Sequence, residues 1–286
     1  MSTVRNPGVA IVGCGLIGRK RAAALPEHCR LVAACDVDPD RATALADEYA
    51  PDVMVTSTPS EVTGRDDVDL VIVATTHDQL AAIGLKAVRA GHHVLLEKPG
   101  SHHTEPLVQL AELAAANNCV VRVGYNHRFH PGVLKIRELA DDGRYGPLLW
   151  IRARYGHGGR LGYESEWRAD PERSGGGELI DQGSHLIDLT RWLAGDVDLA
   201  FGEAATQFWD MPVDDNVYLA LRPRTGGFAW LHASWTEWKN TFSFEVTYRT
   251  AKFELNGLGG SYGPERLVHH VMLPEMGPPE STVYEF

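Results

Sequence analysis

A glycine-rich turn near the amino terminus has the spacing that allows backbone to approach a phosphate group. Gly13, Gly15 and Gly18 form a G-x-G-x-x-G motif between an apolar run and a stretch with helical character. The first glycine permits a tight turn, the second admits a pyrophosphate, and the third allows a helix to pack closely on a strand. Amides at the start of that helix donate to phosphate oxygens. We predict that Gly13, Gly15, Leu16, Ile17 and Gly18 bind a dinucleotide.

An acidic residue follows this turn at the distance expected for a ribose contact. Asp36 comes directly after the second apolar run, about 20 residues further on, where a carboxylate binds ribose hydroxyls. A carboxylate there repels the 2′-phosphate of NADP, and we expect the nearby Arg41 to face solvent. The sequence therefore predicts NAD, with NADP disfavoured. A glycine turn without a ligand is the alternative, which the combination of strand, helix and acid disfavours.

A lysine stands at the end of another apolar run. Lys98 lies within Glu97-Lys98-Pro99, directly after residues 94–96. Ligands of open α/β sheets bind at the carboxyl ends of strands, so we expect Lys98 to point toward the cofactor. There it can hydrogen-bond an oxygen that becomes alkoxide-like during hydride transfer. A surface lysine that merely ends a strand is the competing interpretation.

A polar stripe accompanies the strongest helical pattern of the second half. If residues 178–193 form a helix, Asp181, His185 and Asp188 lie on one face of it. Such a stripe is commonly a solvated surface. A histidine flanked by carboxylates can also be held in one tautomer, with its basicity adjusted toward neutral pH. His185 is therefore a candidate general base.

The elements that must position these residues change in character near Gly124. Before it, short apolar runs alternate with amphipathic stretches, a pattern typical of βαβ units and a parallel sheet. We predict strands at residues 9–12, 31–35, 70–74, 94–96 and 120–123. We predict helices at residues 16–25, 41–48, 80–90 and 106–116, the last with Thr104 as its N-cap.

After Gly124 the pattern favours an antiparallel or mixed sheet with the single strong helix at residues 178–193. Strands are predicted at residues 148–155, 217–221, 228–235 and 242–248, with a hairpin turn at residues 224–227. The fold class is thus α/β. Residues 1–124 are predicted to form a Rossmann dinucleotide-binding domain, and residues 125–286 a substrate-binding and oligomerisation domain.

Bulk composition narrows the class of protein. The 286 residues carry 27 Lys and Arg against 38 Asp and Glu, a formal net charge of −11, which disfavours nucleic acid and anionic membranes as partners. The four cysteines form no CxxC motif, as is typical of a reducing cytoplasm. The first seven residues contain no apolar signal core, and no apolar run could span a bilayer. We therefore expect a soluble, cytoplasmic protein.

Three motifs together resemble the glucose–fructose oxidoreductase / inositol dehydrogenase (Gfo/Idh/MocA) family. They are the glycine turn, Glu97-Lys98-Pro99, and the run Asp181-x-Gly183-x-His185-x-x-Asp188. Gly124-Tyr125-Asn126 followed by Arg128-Phe129, and Trp167-Arg168, add to the resemblance. It extends from about residue 9 to at least residue 193, and the order and spacing of the three motifs make it specific.

The resemblance implies a Rossmann domain followed by an open, mostly antiparallel sheet domain, through which a homodimer or homotetramer would form. It implies that Lys98 binds the reacting hydroxyl, that Asp181 orients the substrate, and that His185 is the general base. It also implies a cis Lys98–Pro99 peptide. Further cofactor-binding residues are expected to be Thr75, Thr76, His77, Glu97 and Lys98.

Two features depart from the family pattern. Thr75-Thr76-His77 stands where the family has Thr-Pro with a nearby histidine, which puts the details of that cofactor contact in doubt. The sequence ends at Phe286, where relatives continue with a helix and a closing strand. We therefore expect the second domain to be truncated.

The expected substrate is a polyhydroxylated small molecule such as a sugar, a cyclitol, or a nucleotide- or amino-sugar. A glycine-broken stretch at residues 156–159 could contribute His157 to a polyol pocket beside Arg160, although an ordinary surface loop is equally compatible with it. Arg154 and its neighbouring arginines leave room for a phosphate or carboxylate. The predicted substrate-binding residues are Lys98, Asn126, Arg128, Tyr155, His157, Trp167, Arg168, Asp181 and His185.

The predicted activity is hydride transfer between NAD and a secondary hydroxyl or keto carbon. A redox-neutral lyase or hydrolase with tightly bound NAD, and a non-catalytic NAD-binding regulator, are the alternatives. We predict no metal site, because the adjacent histidine pairs diverge and no carboxylate or cysteine completes a set around His127 and His130.

Overall fold

The computed structural model describes residues 6–286, and the chain folds as two compact units, residues 1–124 and 125–286. Residues 1–5 lie outside the described part, and with them most of the segment predicted to lack a signal core. Among residues 6–286, no helix combines the length and the apolarity that crossing a bilayer requires.

The first unit contains a six-stranded parallel sheet in the order β3-β2-β1-β4-β5-β6. The order reverses between β1 and β4, and ligands of open α/β sheets bind at the carboxyl ends of strands beside such a point. Its strands are β1 (Gly8–Val12), β2 (Arg30–Cys35), β3 (Met54–Thr56), β4 (Leu70–Val73), β5 (His93–Leu96) and β6 (Val121–Val123). Its helices are α1 (Leu16–Ala23), α2 (Pro39–Tyr49), α3 (Pro59–Thr63), α4 (His77–Arg89) and α5 (Thr104–Ala116).

All five predicted strands and all four predicted helices of this unit are confirmed, because the strands are continuous apolar runs buried on both faces. β3 and α3 were not predicted, since three residues of mixed polarity and five helical residues carry too little periodicity. The prediction of Thr104 as an N-cap is wrong. His103 occupies that position, and Thr104 is the first helical residue.

The second unit contains an eight-stranded mixed sheet in the order β14-β13-β12-β11-β7-β10-β9-β8. β7 and β10 are parallel and the other neighbouring strands are antiparallel. The strands are β7 (Leu148–Gly156), β8 (Val197–Ala205), β9 (Asn216–Pro223), β10 (Phe228–Ser234), β11 (Thr241–Tyr248), β12 (Ala251–Asn256), β13 (Arg266–Val271) and β14 (Glu280–Glu285). The helices are α6 (Pro131–Ala140), α7 (Pro171–Ser174) and α8 (Ser184–Ala194).

The four predicted strands and the hairpin turn between β9 and β10 are confirmed. β8 was missed because most of its residues are exposed, so it lacks an apolar pattern. α6 was not predicted. Pro131 opens this helix, and the His130 ring nitrogen accepts a hydrogen bond of 3.1 Å from the Gly132 amide.

The predicted single helix at residues 178–193 is wrong in its first turn. Residues Leu179–Gly183 form one turn of π-helix, and only from Ser184 does α8 follow regular α-helical geometry. A π-turn takes about one residue more than an α-turn. Relative to His185, Asp181 is therefore rotated about the helix axis from the position that a continuous α-helix would give it. Helices α6 and α8 cover one face of the sheet, and the core between them contains Ile136, Leu186, Leu189, Phe244 and Phe253.

A buried carboxylate organises the loop between β8 and β9. Asp215 is fully buried, and its oxygens accept hydrogen bonds from the amides of Gln207, Phe208 and Trp209 at 2.8, 2.8 and 2.9 Å. Burial raises the pKa of this carboxyl, but the amide donors and the Asn216 side chain outweigh it, so the net shift is downward. The carboxylate form therefore stabilises the folded loop.

We expect Asp215→Asn to lower the free energy of unfolding by roughly 1–3 kcal/mol, because an amide NH2 would face N–H donors. Since the folded pKa lies below the unfolded value of about 4, the carboxylate's contribution is complete above that pH and is lost as the pH falls through the folded pKa. Urea unfolding at neutral and strongly acidic pH measures both effects. Asp210→Asn, an exposed residue of the same loop, is the control. Equal losses in the two variants would contradict the assignment.

Candidate functional site

In the first unit, the glycine turn joins the end of β1 to the start of α1. Gly13 has a positive φ of +95°, and a Cβ there would lie 2.4 Å from the Ala74 carbonyl oxygen. A Cβ at Gly18 would lie 2.0 Å from the Gly13 carbonyl oxygen, which is the close helix–strand approach that the motif predicts. At Gly15, by contrast, no atom of the described residues comes within 4 Å of such a Cβ. Space for a ligand therefore opens at the second glycine.

The two residues that follow Gly15 lie at the amino end of α1. Leu16 is 71% exposed and Ile17 is half-buried. The amides of a first helical turn have no partners within the helix, so this end can receive a phosphate. Burial and the neighbouring Asp36 raise the pKa of the Cys14 thiol to about 12, which keeps the side chain between the first two glycines uncharged.

Asp36 directly follows β2 and is nearly buried. Its carboxylate accepts hydrogen bonds from the amide of Cys14 at 2.7 Å and from the amide of Asp38 at 3.0 Å, so it is tied to the glycine turn. Arg41 is exposed and lies 3.2 Å from the Asp38 carboxylate. Arg41, which could attract a 2′-phosphate, is thus compensated by another acid.

Three predicted cofactor residues lie at the end of β4, next to the glycine turn in the sheet. Thr75 donates its hydroxyl to the Thr76 carbonyl at 3.2 Å, and Thr76 is the N-cap of α4. His77 is the buried first residue of that helix, and its ring lies edge-on to the ring of His102 at 6.4 Å. Their position at a carboxyl edge of the sheet is compatible with a cofactor contact.

Glu97 and Lys98 follow β5 at the same edge. The Arg21 guanidinium of α1 donates to the Glu97 carboxylate at 2.6 Å, which ties the glycine helix to the end of β5. The Lys98–Pro99 peptide is cis, as the resemblance implied. The structure therefore gives Glu97 a packing role in addition to the cofactor contact that remains a prediction.

In the second unit, His185 is buried in the first turn of α8 and surrounded by rings. The His127 ring stacks on it with centroids 3.8 Å apart and planes 9° apart. Tyr125 and Tyr155 approach it edge-on at 5.7 and 6.2 Å. Burial raises the pKa of both tyrosines, so they are neutral at physiological pH.

Asp181 lies in the π-helical turn and faces an arginine. Arg168 donates to the Asp181 carboxylate at 3.2 Å and also lies 3.9 Å from Glu166, which in turn pairs with Arg160 at 2.6 Å. Burial lowers the pKa of Arg168, but the Asp181 carboxylate raises it, and the net shift is upward. This chain of alternating charges is close to neutral overall.

The expectation that two carboxylates flank His185 is wrong for Asp188. Both oxygens of Asp188 accept hydrogen bonds from Arg128, the Nε bond being 2.7 Å long, and the guanidinium lies 4.7 Å from the Trp192 ring. The side chain is therefore occupied by a bidentate ion pair on the Arg128 side of α8. The ring of His127 contacts His185 instead.

Four predicted substrate residues remain: Tyr155, His157, Asn126 and Trp167. Tyr155 is buried against the stacked histidines. His157 follows it at the end of β7, where its ring lies 5.7 Å from that of Tyr163. Burial lowers the pKa of His157, so it is neutral near pH 7. Asn126 is exposed beside His127, whose ring nitrogen lies 3.1 Å from its side-chain oxygen, and Trp167 stacks under Arg168.

Three residues of this cluster were missed by sequence reasoning. His127 was considered only as a metal ligand, although it lies inside the Gly124–Phe129 motif that carried the resemblance. Gln182 donates to the Tyr262 hydroxyl at 3.2 Å, and Tyr262 packs edge-on against Tyr155. Tyr262 is 80 residues from Gln182, so no local signal could have found it. Within residues 6–286, no group of three or more His, Cys, Asp or Glu is arranged to hold a metal ion.

The start of the π-helical turn is fastened by Asp214. Its carboxylate accepts hydrogen bonds from the amides of Gly177 and Leu179 at 3.0 and 2.7 Å. A Cβ at Gly177 would lie 1.9 Å from the Asp214 carbonyl oxygen, so only glycine fits. The third glycine of the Gly175–Gly177 triplet thus positions the turn that leads into α8.

Comparison with known proteins supplies a family. Residues 8–125 match the family model GFO_IDH_MocA, described as an oxidoreductase family with an NAD-binding Rossmann fold, and residues 133–261 match the GFO/IDH/MocA C-terminal domain. These matches confirm the predicted family and NAD as the predicted cofactor.

Among individual relatives, the chain is 28% identical over 190 residues to an inositol 2-dehydrogenase of Gluconacetobacter diazotrophicus, covering 65% of this chain and 54% of the relative. It is 28% identical over 249 residues to the D-glucoside 3-dehydrogenase of Escherichia coli, covering 79% of this chain and 69% of that protein. The chain thus spans little more than half the length of the first of these relatives.

A solved structure of levoglucosan dehydrogenase in complex with NADH and levoglucosan has the same fold. Its TM-score is 0.89 at 21% identity, with 99% of this chain and 80% of that chain covered. The predicted fold class is confirmed by this likeness and by the two sheets. With both family models matched across most of residues 8–261, the chain belongs to the GFO/IDH/MocA oxidoreductase family.

Proposed function

We propose that this chain catalyses hydride transfer between NAD and a secondary hydroxyl or keto carbon of a sugar or cyclitol. The observation that carries the proposal is a glycine turn whose second glycine leaves a cradle open, with Asp36 bound to the same turn. Relatives named inositol, levoglucosan and D-glucoside dehydrogenases support the substrate class. We assign cofactor binding to residues 1–124 and substrate binding to residues 125–286.

NAD would supply the hydride acceptor for alcohol oxidation. The glycine turn and the first amides of α1 would hold its pyrophosphate, and Asp36 would bind the ribose hydroxyls. In this proposal Lys98 donates a hydrogen bond to the substrate oxygen as negative charge develops on it. His185 accepts the hydroxyl proton, and Asp181, held by Arg168, orients the substrate.

The substrate we favour is an uncharged polyol. Three of the four arginines expected near the substrate already pair with carboxylates: Arg128 with Asp188, Arg160 with Glu166, and Arg168 with Asp181. An arginine committed to a carboxylate has less to offer a phosphate, because the two anions compete for one guanidinium. Hydroxyl groups, by contrast, can share such pairs as donors and acceptors.

The two alternative functions, a redox-neutral lyase or hydrolase and a non-catalytic NAD-binding regulator, receive less support. The relatives compared above are named dehydrogenases, which disfavours a redox-neutral lyase or hydrolase. A non-catalytic regulator would have no need for the residues that the family motif requires at positions 98, 181 and 185, and this chain has Lys98, Asp181 and His185.

The proposed pyrophosphate site at Gly15, the second glycine of the turn, can be tested by measuring cofactor binding alone. We expect Gly15→Ala to raise the Kd for NADH at least about tenfold, because its methyl group would occupy the space for the pyrophosphate. Isothermal titration calorimetry measures the Kd, and thermal unfolding measures stability. Gly277→Ala, at a glycine equally free of neighbours, should change neither quantity. Unchanged NADH binding in Gly15→Ala would contradict a pyrophosphate site at Gly15.

Cofactor preference should follow the charge at residue 36. We expect Asp36→Arg to shift the ratio of NADPH to NADH affinity toward NADPH by about tenfold or more, since the repulsion of a 2′-phosphate becomes attraction. Asp36→Asn, which removes the charge but keeps an acceptor, should shift the ratio less. The same ratio in all three proteins would mean that this side chain does not contact the ribose.

The reaction is tested by NADH formation with the full chain, NAD, and a panel of cyclitols, free sugars and glycosides. We expect one group to be oxidised, and we expect His185→Ala to reduce turnover by about 10²–10⁴-fold while NAD binding persists. His28→Ala, which replaces an exposed histidine outside the proposed cofactor and substrate sites, is the matched control. Confirmed NAD binding without NADH formation from any panel member would count against a dehydrogenase acting on these compounds.

A further inference from the structure

Two buried imidazoles lie flat against each other at the candidate base. His127 comes from the short turn Asn126–Phe129 and His185 from the first turn of α8, 58 positions apart in the sequence. Their ring centroids are 3.8 Å apart, their planes differ by 9°, and their exposures are 8% and 6%. Two groups that can each take a proton near neutral pH therefore share one dehydrated volume.

We propose that His127 is a positioning residue for His185: the stacked pair resists a second proton, so that His185 stays neutral over a wider range of pH than a lone histidine would. The functional consequence rests on the proposed role of His185 as general base. The coupling itself rests on the geometry of the pair.

The physical reason is repulsion between like charges. Two positive charges about 4 Å apart repel strongly when little water separates them, so the second protonation is disfavoured. Groups coupled in this way titrate in two steps that belong to the pair and not to either residue. In the singly protonated pair one ring is always neutral.

Asn126 biases where that single proton resides. Its side-chain oxygen lies 3.1 Å from Nδ1 of His127, where it accepts an N–H hydrogen bond, and hydrogen bonding to the charged form favours that form. A proton on His127 keeps His185 neutral, but transfer of a substrate proton to His185 would then be the second protonation, which the pair resists. Acidification is therefore expected to lower the competence of His185 in two steps, first by weakening it as a base and then by protonating it.

The other groups named around the stack are two tyrosines, a phenylalanine and the two acids nearest His185 in the sequence. Tyr125 and Tyr155 stay neutral because burial raises the pKa of each, and Phe242 packs edge-on against His127 without a titratable group. The acidic residues before and after His185 are each ion-paired with an arginine: Asp181 with Arg168, and Asp188 with Arg128. Glu178 is also fully buried and its charge acts on Tyr155, so the histidine variants are needed to assign a two-step curve to the two imidazoles.

The test is an NMR titration of the full chain carrying ¹³C-labelled histidine, without cofactor or substrate. In the parent we expect the His127 and His185 signals each to move in two steps, separated by roughly one pH unit or more. In His127→Phe, which keeps a flat ring but takes no proton, His185 should titrate in one step with a midpoint at least about half a unit higher. Each variant lacks the signal of the histidine that it replaces, which identifies that signal among those of the 13 histidines.

Reciprocity supplies a second variant should the first fail to fold: in His185→Phe the His127 signal must become a single step. Tyr125→Phe changes another ring against His185 without changing the number of protons, so it should preserve the two-step curve. A His185 curve that is the same in the parent and in His127→Phe would overturn the proposal. Because no substrate is needed, this failure is distinct from the absence of dehydrogenase activity.

Discussion

The π-helical turn before α8 is anchored at its beginning by Asp214, a residue of a distant loop, and the geometry around His185 depends on that anchor. The Asp214 carboxylate accepts hydrogen bonds from two amides of the turn, and its carbonyl approaches Gly177 so closely that a Cβ there would lie 1.9 Å away. Because the turn leads directly into α8, any displacement of its start would rotate His185 relative to the fixed rings of His127 and Tyr155.

Near the π-helical turn, the charged side chains closest to His185 in the sequence occur in ion pairs. The acids on either side of His185 in sequence each contact an arginine, and the imidazole itself is buried and packs against three rings. A stacked neutral ring stabilises an imidazolium by dispersion and by its π-electrons without competing for its N–H groups. The ring cluster can therefore support proton uptake in a volume where a bare charge would be costly.

The sequence predicted what local signals encode. Continuous apolar runs identified five strands of the first sheet, and the glycine motif identified the tight turn between β1 and α1. The π-turn at residues 179–183 could not be predicted, because its hydrogen bonds depend on Asp214, some 35 residues away. The same limit applies to the contacts of Asp188 and of Tyr262, since helix periodicity predicts a face but not the side chain that meets it.

Among the three glycines of the turn, those that the fold itself needs can be told apart from the one that it does not need. Gly13 and Gly18 are needed by the polypeptide itself, because a Cβ at either would collide with backbone oxygen. Gly15 meets no such constraint from any described residue, and its φ of −71° suits any amino acid. A fold selected only for stability gains from replacing such a glycine, since glycine costs more conformational entropy than alanine. The fold should therefore tolerate a side chain at position 15, so the cofactor-binding role proposed for Gly15 can be tested without disturbing the turn.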